Sequence, residues 1–150
     1  MVLEVQDPMA AGPSGLMSAG FLVGRVLFAA IFIMSGIAHL TKSQVMSQYA
    51  SAFKVPQPRL AVVVTGLMVL AGGLSILLGV QVQAGALLLV VFLIPTAIYM
   101  HPFWGGGDAM QAANQQAHFL KNLSLAGAAL LIYFFSAVHP EAWVLNLGVP

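Results

Sequence analysis

Few side chains in this sequence can do chemistry, and most of them fall between His101 and Tyr133, in HPFWGGGDAMQAANQQAHFLKNLSLAGAALLIY. His101 and His118 can change protonation near neutral pH. Lys121 and Asn122 can donate hydrogen bonds to a carbonyl or an anion, while Phe103 and Trp104 offer ring faces. A quinone headgroup needs an apolar slot for its tail, aromatic contact and donors at its carbonyl oxygens. His101, Trp104, His118, Lys121 and Asn122 can supply all three. The same residues also describe an aromatic belt with a snorkelling lysine at a membrane surface. Composition and spacing leave both readings open.

Other chemistries fit less well. A b-type haem or a chlorophyll magnesium needs histidines that face one cavity, yet His39, His101 and His118 all lie near the ends of apolar runs. Zinc is disfavoured because no HxxxH or paired carboxylate–histidine spacing occurs, and no metal site is expected. Cysteine is absent, which excludes disulfides and thiolate ligation in this chain. Gly105, Gly106 and Gly107 lack the GK[ST] element of a phosphate loop. They read as a hinge ahead of Asp108, which precedes Gln111 at the spacing of a capping box.

The elements that must position these residues are hydrophobic. Sixty per cent of the residues are apolar and 6% are charged, against about 25% charged in soluble domains. Such a surface has to face lipid. A net charge of +1 gives no reason to expect a nucleic-acid partner. The first twelve residues hold Glu4 and Asp7 but no lysine or arginine, so they read as a short tail and not as a cleavable signal.

Four runs are long enough to cross a bilayer, for which a helix needs about 20 apolar residues. We place them at about 17–40, 60–80, 84–100 and 119–138, in one four-span membrane domain over 1–150. The fold class expected is all-α, a transmembrane four-helix bundle. The first run is interrupted only by Arg25, which either snorkels to headgroups or pairs with a terminal carboxylate, or else is a buried cation facing the bundle or an anionic ligand. Gly20 and Gly24 form a GxxxG pair suited to close helix approach, as does the stripe Ala71, Ser75 and Gly79. The turn between the second and third runs is expected at Gln81–Gln83, and Pro95 is expected to kink the third.

Two polar segments remain. The connector 41–59 could form a short interfacial helix with Tyr49 and Phe53 one turn apart. The loop and helix 101–118 lead into the last run without a proline until Pro140, so one helix of about 30 residues could cover both. Gln111, Asn114, Gln115, His118 and Asn122 share one of its faces. The connector and the 101–121 segment hold Lys42, Lys54, Arg59 and Lys121, against Arg25 alone near the other side. The positive-inside rule therefore puts 41–59 and 101–118 in the cytoplasm and both termini outside.

The order GRVLFAAIFIMSGIAHL, VTGLMVLAGGLSILLG, HPFW and HFLKNLSLAGAALLIY resembles the DoxX family of small four-helix membrane proteins. The matching positions are Arg25, Gly36, Gly72, Gly73, His101, Pro102, Phe103, Trp104, Phe119, Lys121 and Asn122. Two departures stand out: the family often has a lysine where His39 stands, and an acid in the second span near Met68 or Val69. The resemblance implies subunits of a quinol oxidase or of a thiosulfate:quinone oxidoreductase, or accessory parts of membrane redox complexes. Two functions are thus expected. The first is an accessory or structural subunit of an inner-membrane redox complex, with other membrane subunits as partners. The second is a quinone-binding subunit with a site at the HPFW loop and the start of the FLKN helix. Arg25 joins His101, Trp104, His118, Lys121 and Asn122 among the candidate ligand residues.

Overall fold

The computed structural model describes residues 15–104 and 108–143. The expected N-terminal tail and the Gly105–Gly107 hinge lie outside the described residues. Five helices follow one another: α1 (Gly15–Thr41), α2 (Ser43–Ala52), α3 (Pro58–Leu78), α4 (Val82–Met100) and α5 (Ala109–Val138), closed by a 3-10 turn at Pro140–Trp143. All except α2 are long and apolar enough to cross a membrane. The architecture is an all-α, four-span bundle.

The four spans pack in the order α1–α3–α4–α5, with α2 lying against α3, and α1 and α5 barely touch. Their shared core is Phe32, Val69, Ile76, Leu89, Leu93, Ala126 and Ala129. Large apolar side chains point outward as well, among them Leu27, Met34 and Leu131, each more than 70% exposed. That outward display is stable only in lipid, where no backbone polar group can be left open and helices satisfy them internally.

Close approach between spans rests on glycines that differ from the expected stripes. A Cβ at Gly36 would come within 2.7 Å of Leu70 Cβ, and one at Gly66 within 2.7 Å of His39 Cβ, which locks α1 onto α3. Gly72 and Gly85 do the same for α3 and α4 against Leu89 and Ser75. Ala71 is exposed instead of packed. Gly20 and Gly24 meet nothing within 4 Å. The GxxxG pair has no neighbouring helix because the α1–α5 gap lies beside it.

The connections also show where local signals were overridden. The α3–α4 turn sits at Gly79–Gln81, two residues earlier than expected. Gly79 takes a left-handed conformation (φ 73°), and the Val80 N–H closes back onto the Ser75 carbonyl at 3.1 Å. Ser75 Oγ then donates to the Val80 and Gln81 carbonyls, tying the hairpin shut. Helix α4 runs unbroken through Pro95, whose ring is exposed. Asp108 occupies the backbone cap position of α5 without a side-chain bond, so the capping box is not formed. The connector does form its short helix, and the Tyr49 and Phe53 rings lie 5.0 Å apart.

Candidate functional site

Chain alternation puts the α1–α2 connection, the HPFW segment and the start of α5 at one end of the bundle. The start of α1, the α3–α4 turn and the 3-10 turn lie at the other. The six candidate residues do not share one end.

At the first end, His101 follows the last residue of α4 and meets α5 across the interhelical seam. Its Nδ1 is 2.8 Å from Gln115 Oε1. Because a carboxamide oxygen only accepts, Nδ1 carries the proton and Nε2 is left as an acceptor. The His101 and His118 rings stack with centroids 5.1 Å apart and planes inclined at 23°. Lys121 Nζ lies 3.4 Å from His118 Nδ1, one turn along α5, and donates to it at long range. Partial burial pushes the His101 pKa below its ordinary value; the Gln115 bond opposes this, and the fields of His118 and Lys121 add to it. The result is a His101 less basic than an ordinary imidazole, beside a stacked ring and a lysine. Rings stacked face to face cannot serve as the two axial ligands of one haem iron.

Aromatic rings wall this row. Phe103 lies 5.1 Å from Trp104 and 5.3 Å from Phe119, and Trp104 lies 5.9 Å from Phe119, all edge-on. Trp104 is exposed, while Phe103 and Phe119 are half-buried. The inward face of α5 is the stripe Ala112, Gln115, Phe119, Asn122, Ala126 and Ala129, so only part of the expected polar face turns inward. Gln111, Asn114 and His118 are exposed, and Asn122 is buried at 7% exposure. Among the described residues the Asn122 side chain has no hydrogen-bond partner. His39, also at this end, is bonded to the Ser35 carbonyl one turn back at 2.8 Å.

Arg25 is at the opposite end, apart from the HPFW row. It does not snorkel: it is 5% exposed and donates to the carbonyls of Ile76 (3.1 Å), Leu77 (2.7 Å) and Trp143 (3.2 Å). The first two belong to the last turn of α3, whose unpaired carbonyls carry the negative end of the helix dipole. Trp143 lies edge-on to Phe21 at 4.9 Å, and its indole also stands 5.3 Å from the guanidinium. Gly79 makes this possible, since a Cβ there would strike the Trp143 carbonyl and lie 2.7 Å from Arg25 Nη2.

Two residues were missed by sequence reasoning as members of these clusters. Gln115 was placed on the right helix face, but nothing singled it out as the partner of His101. Trp143 carried no signal beyond Pro140, which ends α5 and turns the chain.

A four-span helical bundle with one polar end and one buried arginine defines a class of small integral membrane protein. The family model for DoxX matches residues 20–102. The inner membrane protein YphA of Escherichia coli (strain K12) is 30% identical over 112 residues, covering 74% of this chain and 79% of that protein. The chain belongs to the DoxX family. No solved structure matches it. The family match ends at Pro102, so Arg25 and His101 fall within it while Trp104, His118, Lys121 and Asn122 lie beyond.

Proposed function

We propose that this membrane protein is an accessory subunit of an inner-membrane redox or electron-transfer complex, with 41–59 and 101–118 in the cytoplasm and both termini outside. The observation that carries the reading is the overhang of α5. Its 30 residues extend about 45 Å at 1.5 Å per residue, against a hydrocarbon core of about 30 Å. Its overhanging part presents Met110, Ala113, Ala117 and Leu120 along one exposed ridge, at i, i+3, i+7 and i+10. This ridge lies opposite the face that packs on α4. A helix with apolar residues on both sides, one side unpartnered, suits a subunit interface.

Purification of the tagged full-length chain in mild detergent tests this. A redox-active membrane partner is expected to copurify, and the double substitution Ala113→Lys, Ala117→Lys is expected to release it. A lone protein with no partner would defeat the reading.

A second reading is favoured by Asn122, buried one turn beyond Phe119 with no described partner. Its carboxamide still reaches the surface of the bundle, where it can donate to and accept from a ligand. Here the HPFW aromatics and the Lys121–Asn122 pair would hold a quinone headgroup. Quinone retained by the purified protein should then be lost in Lys121→Met and Asn122→Leu. If the protein retains no quinone, or the substitutions leave retention unchanged, this reading fails.

A further inference from the structure

We infer that the corner between α2 and the start of α3 seats one anionic phospholipid. Its phosphate lies on Arg59, and an acyl chain follows the outer face of α3. The proposal rests on neither the partner reading nor the quinone reading, and its residues lie outside the HPFW row.

A tight connection builds the corner. Lys54 (φ 57°) and Gln57 (φ 44°) are non-glycine residues in the left-handed region, on either side of Pro56. Such conformations persist only where the surrounding structure holds them. Here they turn the chain so that α2 packs against α3. Between the two helices is an open cavity of about 590 Å³, lined by Gln48, Ser51, Gln57, Arg59, Leu60 and Val63. That volume lies in the range of about 300–1,000 Å³ usual for small-molecule sites.

Charge selects the occupant. The Arg25 guanidinium is enclosed by three carbonyls, whereas Arg59 is exposed and makes no hydrogen bond or ion pair among the described residues. The side chains of Gln48, Ser51 and Gln57 are likewise exposed and without partners there. Ser47, beside them, has its hydroxyl on the Gln44 carbonyl at 2.8 Å. Lys42 and Lys54 add positive charge at the two ends of α2, and no acidic residue occurs between Asp7 and Asp108. Among the described residues the only ion pair is His139–Glu141, at the other end of the bundle. A cation left open in this way fits an oxyanion. A guanidinium can take a phosphate through two parallel N–H···O bonds, and the Ser51 hydroxyl and the two carboxamides can donate beside it.

Depth makes that oxyanion a lipid phosphate. Helix α2 joins the end of one span to the start of the next, so Arg59 stands at the level of the headgroups. The Tyr49 and Phe53 rings of the same connection, 5.0 Å apart, are an aromatic pair suited to that level. From Arg59 the exposed side chains Leu60, Val64 and Leu67 continue along α3, an apolar track for an acyl chain. An acidic protein segment is the competing occupant. It would meet Arg59 but would have no use for that track.

The test titrates the full-length chain in mild detergent with dioleoyl phosphatidylglycerol or dioleoyl phosphatidylcholine, and native mass spectrometry counts the bound lipid. One phosphatidylglycerol should bind saturably and more tightly than phosphatidylcholine, whose choline cation the corner repels. Arg59→Gln should weaken it about tenfold, the loss of one charge-assisted contact. Lys42→Gln removes the same charge outside the cavity and should leave the affinity within about twofold. Ser51→Trp fills the cavity without changing its charge and should abolish the tight site. All three side chains are exposed, and circular dichroism checks that the helices persist. Equal losses in Arg59→Gln and Lys42→Gln overturn the proposal, as does unchanged binding in Ser51→Trp. So does an equal affinity for the two lipids, or displacement of the lipid by inorganic phosphate at the same concentration.

Discussion

At the Arg25 end of the bundle, one side chain bonds positions 51, 52 and 118 residues away in the chain. At the His101 end, the polar row joins residues 14 and 3 apart. The first cluster is buried and closed by backbone carbonyls, the second is half-exposed and built from side chains on adjoining helices. Long-range, buried bonds hold elements together, because removing one partner leaves the other desolvated and open. Short-range, wet bonds adjust local protonation and can be rearranged at little cost. The two ends therefore differ in what substitution should do to them.

The sharpest way to break this contrast is Arg25→Met. It leaves three carbonyls without donors, and the low end of about 1–3 kcal/mol for each predicts a loss of about 3 kcal/mol. Unfolding by SDS followed by circular dichroism measures it; a loss below about 1 kcal/mol would mean the carbonyls find other donors. The matched substitution at the other end, Lys121→Met, should stay within about 0.5 kcal/mol, as exposed sites do.

Gly36→Val should come next in size. Its Cβ would press on Leu70 Cβ and on the Gly66 carbonyl, so α1 and α3 must part, at a cost of about 1–3 kcal/mol. By contrast Gly24→Val should be near neutral in the same assay, because its Cβ has open space. Equal losses at the two positions would show that helix packing does not follow the observed seams.

The smallest effect sharpens the polar end. His101 is held below its ordinary pKa, first by burial, so its folded form binds protons less readily than the unfolded chain. Its contribution to stability is therefore full above the unfolded value of 6.5 and declines as pH falls below that value toward the folded pKa. In a histidine NMR titration, Lys121→Met should move the His101 midpoint up and Gln115→Leu should move it further down. Opposite shifts would refute the hydrogen-bonded row.

The sequence showed the membrane bundle because lipid imposes a one-dimensional rule: about 20 apolar residues per span, satisfied four times. It showed the 30-residue α5 for the same reason, since no proline interrupts it. It also showed the HPFW and FLKN cluster, whose members are near one another in the chain. It placed Asp108 rightly at the N-cap of α5, although the side-chain bond its spacing suggested is not formed. It misjudged Gly20 and Gly24, since a small-residue motif marks a helix face able to pack without saying whether a neighbour arrives.

Pattern and composition alone determined that this protein resides in a membrane, how many apolar spans it has and that HPFW lies beside the start of the last long helix. The tertiary structure alone decided that Arg25 is buried, that Trp143 folds back to it across the whole chain, and that Gly79 leaves room for both. Spans are written in local hydropathy, whereas a carbonyl cage around a guanidinium depends on which helices become neighbours and at what depth. No residue type signals that before the chain has packed.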